Sequence, residues 1–347
     1  MKIKTFNQIF NKNRPILVAE ISANHVGKIS HAKKLIDIAK KYGADAVKLQ
    51  TYKPSTMTIN SKKKYFKIKE GLWKNNTLWN LYKKAHTPYE WHQELFNHAK
   101  KRKIICFSTP FDESAVDLLE NLKCPLYKIS SFEMNDIPLI KYIAKTKKPI
   151  IISTGMANLS EINSTFQFAK KFGIKDITLL YCVSNYPSKI EDFNLKNIEI
   201  LRKKFKCRIG FSDHSTNNLV ASTAIALGAE IVEKHIALEG QNIGPDIKFS
   251  IKGKQIKKFK QDLTDAYLLK GENEFKRSVS EKKSVQFQRS IFSVKKIKKG
   301  EKFSKDNIKR IRPGYGLAPV DFFKILNKKS KKNIDSGEPI KKNYIKK

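Results

Sequence analysis

No run of about 18 apolar residues occurs in the chain, so no helix in it is expected to span a bilayer. The opening stretch, MKIKTFNQIFNKNRPILVAEIS, lacks a long apolar segment followed by a small-residue cleavage site, and no secretion signal is expected. Cysteine is scarce: Cys106, Cys124, Cys182 and Cys207 are the only four in 347 residues, and none forms a CxxC pair. That spacing argues against a zinc ribbon and a disulfide scaffold and suits reduced thiols in a cytoplasmic protein. Three of the four are expected in apolar strand-like runs, where cysteine behaves as a small hydrophobe. Acidic residues are also few, 32 Asp and Glu against 70 Lys and Arg, giving a formal charge of +38. An excess of that size raises nucleic-acid binding as an alternative. The lysines, however, are spread over almost every predicted helix and are not gathered in a stripe with aromatics, and Lys, Ile and Asn are abundant everywhere, as biased codon usage would produce. No nucleic-acid partner and no membrane partner are therefore expected. Finally, there is no GxGxxG, the usual phosphate-binding turn of an open doubly wound sheet.

Short apolar runs recur instead: ILVAEIS (16–22), DAVKLQ (45–50), IICFSTP (104–110), LYKISS (126–131), PIIISTG (149–155), ITLLYCV (177–183), RIGFSDH (208–214) and EIVEKHIAL (230–238). Near-continuous runs of this kind suit parallel strands buried on both faces. Amphipathic stretches separate them, such as 31–43 and 160–173, each closed by a glycine stop signal. Strand and helix alternating in this way predict a (β/α)₈ TIM barrel over residues 1–275. The connection between the second and third strands is oversized and predicts a flap over the barrel mouth followed by a helix at 88–102. Beyond about residue 275 the pattern changes to short alternating segments with Gly and Pro turns, predicting a small β-rich domain over 284–347 that ends in one more strand and a frayed basic tail.

Polar residues collect where each strand of such a barrel would end, the place where this fold carries its chemistry. Glu20, Asn24 and His25 follow the first strand; Lys48 and Gln50 share a face of the second. Ser108 and Thr109 end the third, Lys128, Ser131 and Glu133 the fourth, and Ser153 and Thr154 the fifth. Ser184, Asn185 and Tyr186 follow the sixth, Asp213 and His214 the seventh, and Glu233 and His235 share a face of the eighth, with Lys234 on the other. Two lysines in a barrel mouth require anionic partners, for which phosphate and carboxylate are the natural candidates. His214 and His235, on adjacent strands, could offer two imidazole nitrogens to a divalent metal in an open site, or could simply be hydrogen-bonded groups. Glu20 and Glu133 are candidates for acid–base work, or for neutralising Lys48 and Lys128.

The motifs AEISANHVG (19–27), AVKLQTYKPSTMT (46–58), FSTPFDESAVDLLE (107–120), YKISSFEMNDIPLI (127–140), STGM (153–156), GFSDHS (210–215), EKHIAL (233–238), GPDIKFS (244–250) and RPGYGL (312–317) follow one another nearly end to end as in the sialic acid synthase family, which the chain resembles. Those enzymes are phosphoenolpyruvate-dependent synthases of nine-carbon sugars. The resemblance implies a TIM barrel followed by an antifreeze-like (SAF) domain that swaps onto the partner of a homodimer. It implies Mn²⁺ or Mg²⁺ held by His214 and His235. It implies phosphoenolpyruvate on Lys48, Lys128, Thr109, Ser131 and Ser153, and Glu20 near the attacking water and the sugar. Gln50, Glu133, Tyr186 and Glu233 match other mouth residues, and Asp246 is expected to contact metal-bound water. Arg312 matches an arginine that reaches the neighbour's N-acetylated sugar. SANH, KLQTY and SFEMND, with GLW (71–73) and AHTPYEWH (85–92), are closer to the branch whose acceptor is an N-acetylated 6-deoxyhexose than to the N-acetylneuraminate branch. Ser184, where the latter carries Asn, fits a different sugar.

Overall fold

The computed structural model describes residues 4–10, 14–272 and 274–346. Contacts divide the chain into two compact units, Met1–Gly271 and Glu272–Lys347.

In the first unit eight parallel strands pair in sequence order and close on themselves: β1 (Ile16–Glu20), β2 (Ala46–Thr51), β3 (Ile105–Pro110), β4 (Tyr127–Ile129), β5 (Ile150–Ser153), β6 (Ile177–Cys182), β7 (Arg208–Asp213) and β8 (Ile231–Ala237). Closure comes from β1 against β8, in a register that sets Val18 beside Glu233 and Glu20 beside His235. The strands are buried almost throughout, because inward side chains fill the barrel and outward ones meet the helices. The helix Ile29–Lys41 shows how the sheath is built: it buries Ala32, Leu35, Ile36 and Ala39, the i, i+3, i+4, i+7 stripe of one face. Starts are fixed locally. Asp112 caps Glu113–Asn121 by accepting from Ala115 N, Asp136 caps Ile137–Ala144 through Leu139 N, and Asn158 with Glu161 forms a capping box on Leu159–Lys171. Helices Asn197–Phe205, Asn218–Ala226 and Gln255–Lys270 complete the ring.

The oversized β2–β3 connection holds short helices at Pro54–Met57 and Leu78–Ala85 and a bridge between Lys67 and Thr77, before the sheath helix Tyr89–Lys101. It crosses the mouth: Trp73 Nε1 donates to Pro245 O at 3.1 Å, on the loop after β8.

Two cysteines, Cys106 and Cys182, lie in strands, where three of the four were expected; Cys124 and Cys207 sit in the turns before β4 and β7. All four are free thiols.

The second unit pairs Ser290–Ser293 antiparallel with Ile308–Ile311 over a small core of residues such as Ile291, Phe303, Ile308, Ile334 and Ile340. Among the described residues the expected last strand does not form. Residues near the end make isolated bridges and a 3₁₀ turn, and they are pinned, not frayed: Lys331 N donates to Tyr344 O at 2.8 Å and Lys346 N to Lys329 O at 2.9 Å. Lys347 lies outside the described residues.

Candidate active site

Four charged side chains from four strands meet at the carboxyl end of the barrel. Lys48 Nζ lies 2.8 Å from Glu20 Oε2 and 3.6 Å from Glu233 Oε1, and Lys128 Nζ lies 3.0 Å from Glu233 Oε1. None has more than 5% of its side chain exposed, so each ammonium must find its counter-charge inside the protein. Thr109 Oγ1 accepts from Lys48 at 3.1 Å, Gln50 Nε2 donates to Glu20 at 3.1 Å, and Ser212 Oγ donates to Glu233 at 3.3 Å.

The two carboxylates are tuned in opposite directions. Burial pushes Glu20 up to about 7 in spite of Lys48. Burial also pushes on Glu233, but Lys128 and Lys48 outweigh it and bring that carboxyl down to about 2. Lys48 is disfavoured as a cation by burial, yet Glu20 and Glu233 together raise its pKa. Lys128 is lowered, by burial. The ring thus contains one permanently ionised acid and one poised near neutrality.

His214 and His235 stand beside this ring with their centroids 5.6 Å apart. His214 Nδ1 is 3.2 Å from Val183 O, which makes Nδ1 the donor and leaves the Nε2 lone pair free. His235 Nδ1 is buried without a hydrogen-bond partner and lies 3.7 Å from Asp246 Oδ2. Burial holds both rings neutral, lowering His214 to about 4 and His235 well below its ordinary value. Two neutral imidazoles and a nearby carboxylate are a donor set that suits a divalent cation with open positions. Among the described residues no cluster of three or more His, Cys, Asp or Glu is placed to hold a metal ion.

Strand alternation thins the predicted ring of polar ends. Asp213 does not face the mouth beside His214: it pairs with Lys234 at 2.9 Å, both fully buried, between barrel and helices. Ser108 Oγ meets Thr51 Oγ1 at 2.6 Å, and Thr154 Oγ1 donates to Leu180 O at 3.2 Å, so neither enters the site. Asn24 braces the loop after β8, donating to Ile236 O and Ser250 Oγ at 2.8 Å. His25 packs edge-on against Trp91 behind the mouth. Glu133 makes no ion pair with either lysine; Ser130 Oγ donates to it, and burial raises its pKa.

A cradle of small groups lies between β4, β5 and β6. Ser131 Oγ accepts from Gly155 N at 3.1 Å and touches Cys182 Sγ at 3.1 Å, and Ser153 Oγ is buried with no partner among the described residues. A Cβ on Gly155 would collide with Ser131 Oγ, Cys182 Sγ and Ser184 Oγ. Sequence reasoning missed Gly155 and Cys182; the ST-G following an apolar run was the available signal.

Above the ring opens a cavity of about 400 Å³ lined by Gln50, Glu133, Tyr186, His235 and Asp246 from the barrel and by apolar side chains from the β2–β3 insertion. Tyr186 packs at a tilt against His214, with centroids 4.5 Å apart, and meets Trp73 at 5.6 Å. Ser22, also missed, binds Gln50 Nε2 at 2.9 Å. Arg312 lies in the second unit, exposed, one residue past the strand Ile308–Ile311.

Comparison with known proteins adds kinship to this geometry. The NeuB family model matches residues 35–275, and the SAF domain model matches residues 288–346. A pseudaminic acid synthase of Campylobacter jejuni subsp. jejuni serotype O:2 is 41% identical over 341 residues, 98% of each chain. One from Helicobacter pylori is 43% identical over 328 residues, 94% of this chain and 96% of that one. The crystal structure of the N-acetylneuraminic acid (sialic acid) synthetase of Leptospira borgpetersenii superposes with a TM-score of 0.71 at 29% identity, covering 79% of this chain and 90% of that one. With a family model matching more than half of the chain and relatives above 40% identity from end to end, the chain belongs to the NeuB family.

Proposed function

We propose that this chain is a pseudaminic acid synthase, a transferase that joins phosphoenolpyruvate to 2,4-diacetamido-2,4,6-trideoxy-L-altrose. In the balanced reaction C3 of phosphoenolpyruvate bonds to the aldehyde carbon, water adds at C2, and phosphate leaves. The observation that carries the reading is the buried Glu20–Lys48–Glu233–Lys128 ring beside two neutral imidazoles, in a chain whose end-to-end relatives bear that name.

Phosphoenolpyruvate is a compact polyanion, and the ring offers it Lys48 and Lys128 at positions already desolvated, where charge-assisted bonds are strongest. Thr109, Ser131 and the unpartnered Ser153 hydroxyl complete the anion cradle, with Gly155 leaving the room. Glu20, near 7, can give or take a proton at neutral pH and is the group we assign to the water that adds at C2. Glu233 holds the two ammonium groups in place. Gln50, Glu133, Ser184, Tyr186 and Asp246 border the acceptor. His214 and His235 would hold Mn²⁺ or Mg²⁺, which when bound supplies a Lewis acid to the aldehyde oxygen.

We further infer a cytoplasmic homodimer in which Arg312 of the partner subunit reaches the acceptor's N-acetyl group. The four free cysteines accord with a reducing compartment.

N-acetylneuraminate and legionaminic acid synthases share the chemistry and differ in the hexose. Incubating the purified chain with phosphoenolpyruvate, Mn²⁺ and a panel of hexoses, and measuring phosphate release with the mass of the product, separates them. The proposal expects the trideoxy altrose to give the highest kcat/KM. A higher value for another hexose reassigns the acceptor, and no phosphate with any sugar refutes the synthase reading.

A further inference from the structure

The cavity over the mouth is two-faced. Its charged and amide side chains, Gln50, Glu133, His235 and Asp246, come from the barrel, whereas Met57, Ile68, Leu78 and Leu81, with the ring of Tyr82, come from the β2–β3 insertion. The helix Leu78–Ala85 explains why. Leu78, Leu81, Tyr82 and Ala85 fall at i, i+3, i+4 and i+7, one apolar face, and that face lines the cavity and not a core: no residue of the helix is fully buried. Thr77 caps its start by accepting from Asn80 N, so the helix is fixed at its first turn. An amphipathic helix whose apolar face borders an open cavity leaves apolar surface for a ligand to cover.

Trp73 holds this roof in place. Its indole N–H binds Pro245 O, next in sequence to Asp246, and its ring meets Tyr186, which packs at a tilt against His214. The roof is therefore tied to the chain segments that carry the polar side of the cavity.

The geometry points to the β2–β3 insertion as the acceptor-selecting element: Ile68, Leu78 and Leu81, pinned by Trp73, receive a methyl-terminated end of the acceptor and disfavour one ending in hydroxymethyl. The assignment rests on the synthase reading above. With the aldehyde directed toward His214 and His235, the far end of a hexose extends toward the roof. A hydroxyl buried there finds no donor or acceptor among these three side chains and loses its water, whereas a methyl loses nothing. Apolar pockets of this type discriminate by roughly 10- to 100-fold.

The test compares 2,4-diacetamido-2,4,6-trideoxy-L-altrose with its 6-hydroxy counterpart, reading kcat/KM from phosphate release at saturating phosphoenolpyruvate. Wild type is expected to favour the deoxy sugar by about 10- to 100-fold. The Leu78→Ser/Leu81→Ser double variant, or Trp73→Phe, which removes only the indole N–H bond and some ring area, is expected to shrink that ratio at least severalfold. Equal kcat/KM for both sugars in wild type overturns the inference without touching the synthase reading, and so does an unchanged ratio in both variants. The absence of phosphate release with either sugar in the wild type overturns the altrose assignment, and this inference with it, while activity on another hexose leaves the synthase reading standing.

Discussion

Glu20 and Lys48 form an ion pair of 2.8 Å on neighbouring strands, with at most 4% of either side chain exposed. Parallel register places them side by side, since Glu20 is the β1 partner of Lys48 in β2. Burial nevertheless raises Glu20 to about 7, so its charge is conditional whereas that of Glu233 is fixed. With both lysines charged, the ring carries one net positive charge when Glu20 is protonated and none when it is ionised. Affinity for phosphoenolpyruvate should therefore be higher below pH 7 and fall as pH rises through 7, by on the order of tenfold for the loss of one nearby charge. Glu20→Gln, permanently neutral, should lack that fall. Isothermal titration of wild type and variant between pH 6 and pH 8.5 tests this, and parallel profiles for the two proteins would contradict it.

Among the described residues Glu233 is the one carboxylate that forms ion pairs with both lysines. Replacing it by Gln strands Lys128 and leaves Lys48 only Glu20. Uncompensated buried charge of this kind typically costs about 3–5 kcal/mol. Urea unfolding of Glu233→Gln at pH 7 should show a loss of that order, and adding Lys128→Met should recover part of it. A loss below about 1 kcal/mol would mean that water reaches the ring and screens it.

The barrel, its eight strands and the paired faces Lys48–Gln50 and Glu233–His235 were legible because period two and parallel burial leave a plain imprint on sequence. What the sequence concealed was partnership. Asp213 next to His214 looked like a site residue, but the intervening pleat turns it outward to Lys234. Glu133 looked like a counter-charge for Lys128, yet that lysine is neutralised from across the barrel by Glu233, 105 positions away. Trp73 and Gly155 stood within quoted motifs, but neither carries an ionisable group and neither was given a role, although one pins the roof and the other makes room for the cradle. Charge type can be read locally; who meets whom across a closed barrel depends on long-range register.

His214 and His235 are expected to bind one divalent ion. Removing His214 takes away one of two protein ligands, so Mn²⁺ affinity measured by calorimetry should fall at least 10-fold in His214→Ala, with turnover abolished. Chelation and dialysis of the wild type should stop phosphate release, and added Mn²⁺ should restore it. Full activity after chelation, or unaltered Mn²⁺ binding in the variant, would exclude the pair as a metal site.

Arg312 tests the role assigned to the second unit. A lost charge-assisted hydrogen bond costs about 1.5–3 kcal/mol, or roughly 10- to 100-fold in affinity. Arg312→Ala should raise KM for the sugar by that factor with little change in KM for phosphoenolpyruvate. Deleting residues from about 280 onward should cripple sugar use and, read by light scattering, abolish the proposed dimer. Equal KM changes for both substrates, or a fully active truncated chain, would remove the SAF domain from the site.

Gly155 offers the sharpest probe of the cradle because the change it requires is one methyl group. Its backbone conformation is open to any residue, so backbone strain does not enter. Space does: the added Cβ would overlap Ser131 Oγ, Cys182 Sγ and Ser184 Oγ at once, and the backbone N–H of Gly155 is itself bonded to Ser131. Two hydroxyls and a thiol, one from the loop after β4 and two from the end of β6, cannot all move aside without disturbing the positions assigned to the phosphate. Gly155→Ala should therefore raise KM for phosphoenolpyruvate at least 10-fold, at an overpacking cost to stability of only about 1–3 kcal/mol. Thermal unfolding establishes that the variant is folded, and initial rates at varied phosphoenolpyruvate give the KM. A folded variant with wild-type KM would show that the phosphate binds elsewhere, on the lysine ring alone.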